Sequence, residues 1–234
     1  MNELLFLFHS IIVISFIYLS FYMGKEALIV FISSCWLFAN FFINKEIILF
    51  GWQVTASDVY AIGGMFGLSL LQEYWGRSAA SLAVLLSFIL LLFATLASFM
   101  HLSYTPSPQD VAHTHYAALL SGQTRILGAS FVTFALVQQL EVRLFRSLQQ
   151  LIVLPFLVRA CTTAVVIQFV DTLLFSFLGL YGIVHSIIDV ITVSYAVKLL
   201  ITCLTLPFIV LAQLLFPKKA FTYRQDLPNA QQTG

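Results

Sequence analysis

Residues 151–178 read LIVLPFLVRACTTAVVIQFVDTLLFSFL, and the reading of this stretch decides the fold. A helix crosses the hydrocarbon core of a bilayer in about 20 apolar residues, so the run is long enough to span. It nevertheless carries Arg159, Gln168 and Asp171. A charge at mid-bilayer costs roughly 2.5 kcal/mol or more, which makes an intramembrane charge a functional candidate by default. On a helix, Gln168, Asp171 and Phe175 fall at i, i+3 and i+7, so an amide, a carboxylate and an aromatic ring share one face. Such a face suits a polar, planar solute.

The rest of the chain has the same character. Of its 234 residues 60% are apolar and 9% charged, whereas soluble domains are about one quarter charged. Its apolar segments are each about 20 residues long, which fits helical spans and not the ten-residue alternation of a membrane barrel. The expected fold is an all-α polytopic membrane protein of about seven transmembrane helices in a single membrane domain over 1–234. The segments run from Leu4 to Met23, Ala27 to Ile43, Thr55 to Leu71, Ala79 to Met100, Ile126 to Phe145, Leu151 to Leu178 and Ile191 to Phe216. The first has no basic region before it and no small-residue cleavage site, so it reads as a retained span. Lys25, Arg77, Arg143, Arg146, Lys218, Lys219 and Arg224 then fall on one side of the membrane, and Lys45 and Arg125 on the other. The positive-inside rule assigns the richer side to the cytoplasm, with the N-terminus outside and the tail 217–234 inside.

Several local patterns sharpen this picture. Thr55 and Asp58 are spaced as a capping pair, and Gly63 and Gly67 form a GxxxG packing pattern. Glu73 and Arg77 stand four apart in the favourable order for a helical ion pair. Residues 101–124 form the longest polar stretch, with Pro106, Pro108 and Gly122 as breakers. His113 and His115 within it read as solvated loop histidines and not as a metal site, since no carboxylate or cysteine framework accompanies them. Cys35, Cys161 and Cys203 lie inside expected spans, and none joins a CxxC, so they read as small packing residues. Counting 1.5 Å per residue, Asp171 and Lys198 reach matching depths in the outer half on consecutive antiparallel helices, while Arg159 lies in the inner half. Pairing would greatly reduce the cost of both charges.

No GxxxxGK[ST] loop, HExxH or GxSxG elbow is present, and no nucleophile and base stand out together as an active site. The net charge of +1 and the lack of a clustered basic surface argue against a nucleic-acid partner. What remains is a small-solute carrier, an intramembrane enzyme of another kind, or a subunit whose polar residues bind partner helices.

From Asn40 onward the order of features resembles the queuosine-precursor transporter family, stand-alone vitamin-uptake-type carriers of 7-deazaguanine bases. The resemblance runs through Ala39, Asn40 and Lys45, Phe50 and Gly51, and Glu73, Tyr74, Trp75 and Gly76. It continues through Arg125, Ala129, Ser130, Gln138 and Glu141, then Gln168, Asp171, Thr172 and Phe175, and ends at Tyr195, Lys198 and Pro207. Ser69 departs from members that carry an aspartate four residues before the glutamate. Some members lack the first helix, so residues 1–24 read as an extra N-terminal helix on a six-helix core. The resemblance implies import of a 7-deazaguanine base such as preQ0, preQ1 or queuine across the plasma (inner) membrane for tRNA modification, with no enzyme activity and no soluble cofactor. It implies a substrate-binding set of Asn40, Glu73, Arg125, Gln138, Gln168, Asp171 and Lys198. A guanine-like edge has two N–H donors that a carboxylate accepts together, and its carbonyl and ring nitrogen accept from amide or ammonium groups. Phe175 or Tyr195 would stack on the base. A purine, pterin or flavin would suit the same groups, so residue chemistry alone reaches "planar heterocycle", and a carrier of another heterocyclic vitamin or nucleobase, or a non-transport subunit, is the alternative.

Overall fold

Glycine and proline punctuate the apolar runs, and the helix ends follow them. The computed structural model describes residues 1–42, 45–55, 57–120, 124–151, 155–182 and 187–215. Helix α1 (Asn2–Met23) ends at Gly24, whose φ of 124° interrupts the chain before α2 (Lys25–Phe41). Two short strands follow, β1 (Glu46–Leu49) and β2 (Trp52–Thr55), paired antiparallel with Leu49 opposite Trp52. Phe50 (φ 52°) and Gly51 (φ 83°) form their two-residue turn, the left-handed pair that a tight hairpin requires. Then come α3 (Asp58–Ser103), α4 (His113–Leu120), α5 (Thr124–Leu151) and α6 (Phe156–Phe175), which continues into a π-helical turn (Ser176–Leu180). The last described helix is α7 (Ile187–Leu215).

Helix α3 has 46 residues, about 69 Å if straight and more than twice the hydrocarbon thickness. It is not straight. Gly76 (φ 81°, ψ 177°) breaks it into arms 58–75 and 77–103. Ile32 of α2 lies so close to Gly67 in the first arm that a Cβ there would sit 2.9 Å from its Cγ1. The next residue of α2, Ser33, shares a 3.0 Å hydrogen bond with Ser87 in the second arm. A straight helix would hold Gly67 and Ser87 about 30 Å apart, so the arms fold back against each other at Gly76.

The remaining contacts fix an alternating bundle. Helix α1 runs parallel to the first arm, with Val13 against Gly63 and Phe21 against Tyr74 and Trp75. Gln72 donates to the Val142 carbonyl (2.8 Å), which sets α5 beside the same arm. Helix α6 returns antiparallel to α5, with Phe156 near Phe145 at one end and Gly179 near Ala129 at the other. Helix α7 pairs antiparallel to α6 through Asp171–Lys198 and Gln168–Thr202. Gly24, Gly76 and Pro155 gather at one end of the bundle, and the hairpin and α4 at the other.

Among the described residues, three helical stretches are long and apolar enough to cross a membrane, Asn2–Met23, Asp58–Ser103 and Phe156–Gly179, and Val190–Leu200 is a shorter apolar stretch within α7. The protein is thus a helical membrane protein with one small hairpin that its sequence pattern did not announce. Thr55 is the last residue of β2, and its side chain, on which the Thr55–Asp58 capping pair depends, lies outside the described residues. Two local expectations change. The polar stretch 101–124 contains helix α4, opened by Asp110, whose carboxylate accepts from the backbone N–H of Ala112 (2.8 Å) and His113 (3.2 Å). His113 and His115 therefore sit at a helix start and not in a loop. The expected GxxxG packing holds: Gly63 and Gly67 lie against Val13 and Ile32 so closely that a Cβ would force either to shift. The tail 217–234 lies outside the described residues.

The conformation at Gly76 is one that only glycine adopts without strain of about 1–3 kcal/mol. Gly76→Ala is expected to lower the melting temperature of the detergent-solubilised protein. Gly128→Ala, in open space within α5, is expected to leave it unchanged or raise it slightly. Equal melting temperatures for the two variants would contradict a strained reversal at Gly76.

Candidate solute-binding site

Polar residues on α6 fall in two pairs, Arg159 with Thr163 and Gln168 with Thr172, each pair one turn apart and the two pairs about 140° apart around the axis. They extend about 20 Å along the axis, two thirds of a hydrocarbon core. The neighbouring α5 carries Thr133, Gln138 and Glu141. All of these except Arg159 are buried. Among the described residues, every buried side-chain polar atom without a hydrogen-bond partner lies on these two helices: Thr133 Oγ1, Gln138 Oε1, Glu141 Oε2, Arg159 Nε, Thr163 Oγ1, Gln168 Oε1 and Thr172 Oγ1. Native interiors leave few such atoms, and these seven form a seam on one helix pair.

Two ion pairs bound this seam. Toward the hairpin end, Lys198 Nζ donates to Asp171 Oδ2 at 2.6 Å, joining α7 to α6. One turn away, Gln168 Nε2 donates to Thr202 Oγ1 (2.8 Å), and that hydroxyl donates to the Lys198 carbonyl (2.9 Å). Toward the Gly76 end, Arg159 Nη2 donates to Glu73 Oε1 (2.8 Å) and Gln149 Nε2 to Glu73 Oε2 (2.8 Å). The Arg159 guanidinium also lies 5.6 Å from the centre of the Phe145 ring, a cation–π distance. One carboxylate thus joins α3, α5 and α6.

The residues anticipated from sequence divide accordingly. The structure brings Asp171, Lys198 and Gln168 together, with the ion pair at the depth match read from residue counting. Gln138 lies on the neighbouring α5, 1% exposed and with its carbonyl oxygen unpartnered. Glu73 sits at the far end, and its partner is not Arg77. The reversal at Gly76 destroys the helical i, i+4 geometry that pair needed, and Arg77 points outward, exposed. Asn40 spends its amide on its own helix, donating to the Trp36 carbonyl (2.9 Å). The Tyr195 hydroxyl donates to the Val165 carbonyl (3.2 Å) while its ring meets Phe169 edge-on. The side chain of Arg125 lies outside the described part of the structure.

Sequence reasoning left Glu141, Gln149 and Arg159 out of the binding set. Glu141 is 2% exposed and stands one turn from Gln138, so the i, i+3 spacing of two polar residues in an apolar segment was the available signal. The threonines gave almost none, because a methyl group offsets each hydroxyl in any hydropathy count.

Residues 59–212 match the family described as "Putative vitamin uptake transporter". A protein of Bacillus subtilis (strain 168) named "Probable queuosine precursor transporter" is 29% identical over 218 residues, which covers 89% of this chain and 92% of that one. No solved structure matches the chain.

Removing one member of a buried ion pair strands the other, at about 3–5 kcal/mol, whereas replacing both is often tolerated. Arg159→Gln is therefore expected to lower the melting temperature sharply, and Glu73→Gln with Arg159→Gln to recover much of the loss. Arg77→Gln is expected to leave it unchanged. A melting temperature as sensitive to Arg77→Gln as to Arg159→Gln would contradict this pairing.

Proposed function

Since this chain belongs to the vitamin uptake transporter family, we propose that it imports a 7-deazaguanine precursor of queuosine into the cell as a seven-span carrier. The observation that carries this reading is the seam of unpartnered polar atoms between α5 and α6, in the middle of an apolar bundle. The similarity to a protein named as a queuosine precursor transporter supports the choice of substrate. In this reading the chain is one domain in the plasma membrane, and the two arms of α3 count as separate spans. The N-terminus and the hairpin face outward. The Gly76 end, where Lys25, Arg77, Arg143 and Arg146 cluster, faces the cytoplasm.

The chemistry of recognition follows from the donor and acceptor set. Asp171 accepts the paired N–H groups of the guanine-like edge, and Lys198, which neutralises it at rest, donates to the base carbonyl. Gln168 holds Thr202 through its N–H and offers its free carbonyl oxygen to the base, and Gln138 does the same from the opposite helix. Arg159, Glu73 and Gln149 close the cytoplasmic end. Asn40 and Arg125 complete the proposed set nearer the outer end.

Expressed in a host that lacks its own carrier and its own synthesis, the chain is expected to restore queuosine in tRNA when a precursor base is fed. Persistent absence of queuosine, with normal insertion and a host able to use the base, would contradict the substrate. A reporter that fluoresces only in the cytoplasm, fused to Gly234, is expected to be bright; a dark fusion of normal abundance would reverse the orientation. Asp171→Asn keeps one acceptor oxygen but turns a donor toward a donor, so it is expected to lose most uptake while inserting normally. Uptake restored by adding Lys198→Met would instead make the pair purely structural.

A further inference from the structure

Charge along the seam is unevenly balanced, and the imbalance bears on the solute. Asp171 is paired with Lys198 and Glu73 with Arg159. Glu141 is 2% exposed, joins no ion pair among the described residues, and keeps one carboxylate oxygen without a hydrogen-bond partner. Arg125 is 16 residues earlier on the same helix, about 24 Å along its axis, and cannot reach it. Nearby, the carbonyl oxygens of Gln138 and Gln168 also lack donors. Gln138 lies one turn away on the same face, and the antiparallel register set by Ala129–Gly179 and Phe145–Phe156 brings the middle of α6 to this level.

Three acceptor oxygens without donors, one of them on a carboxylate, fit a ligand that is rich in N–H groups and carries a positive charge. Beside a neutral ligand the buried carboxyl has no counter-ion and is held as the neutral acid, whereas an ammonium group lets it ionise and pair. We propose that the seam selects a cationic planar heterocycle, one bearing an ammonium group on a short arm, over its neutral counterpart, with Glu141 as the carboxylate that receives the ammonium. This rests on the transport reading above and narrows its substrate. Asp171 then reads the ring edge and Glu141 the charged arm, from opposite helices.

The test compares uptake of labelled 7-aminomethyl-7-deazaguanine, which is cationic, with that of 7-cyano-7-deazaguanine, which is neutral, in cells lacking their own carrier. The wild-type chain is expected to favour the cationic base at least tenfold, and Glu141→Gln to collapse that ratio toward one, while Glu141→Asp retains it. Abundance in the membrane is measured for each variant. Wild-type uptake of both bases at equal rates overturns the inference and leaves the transport reading standing, and does so even where Glu141→Gln fails to accumulate. An unchanged ratio in a well-inserted Glu141→Gln also overturns it. Uptake of neither base by the wild type brings down both readings together.

Discussion

A polar atom inside a bilayer has no water to turn to, and the arrangement of this bundle depends on that constraint. Backbone groups meet it by forming helices. Side chains have three solutions here. Serines and threonines such as Ser10, Ser98 and Thr95 donate back to a carbonyl of their own helix. Charged groups pair, as Asp171 does with Lys198 and Glu73 with Arg159. The seam atoms of α5 and α6 do neither, and they are concentrated on one helix pair.

The architecture serves that seam. The glycines of the first α3 arm let α1 and α2 approach closely, which builds a tight apolar block from α1, α2 and the two arms of α3. Gly76 returns the chain and leaves Glu73 at the end of the first arm, facing α5 and α6. The unpartnered polar atoms of α5 and α6 lie between the Glu73–Arg159 pair at one end and the Asp171–Lys198 pair about 18 Å further along α6. Ion pairs that join different helices are suited to passing a solute, because each can break and re-form as helices shift while an apolar contact offers no such exchange of partners.

Much of the fold was legible because the apolar segments are long and their breakers explicit. The helical segments, the antiparallel run of α6 and α7, and the Asp171–Lys198 pair followed from hydropathy and residue counting alone. The hairpin at 46–55 was not legible, since four-residue strands give too short an alternation to detect. The Glu73–Arg77 expectation failed for a definite reason: a rule about side-chain spacing assumes a continuous helix, and the glycine between the two residues reverses the chain. Asn40 shows the complementary limit. A polar side chain in an apolar helix has its own backbone as a competing partner, and sequence does not say which partner wins.

The central claim is that the α5–α6 seam is the route of the solute, and accessibility along it is the most direct measure. In a background with Cys35, Cys161 and Cys203 replaced, single cysteines at Thr163 and Thr172 on the seam are compared with cysteines at Val165 and Phe169, which face outward on the same helix. The account predicts that a membrane-impermeant thiol reagent labels the two seam positions and that excess 7-deazaguanine base slows this labelling, while Val165 and Phe169 remain unlabelled. Normal insertion with no labelling at either seam position, or labelling that the base leaves unchanged, would contradict it.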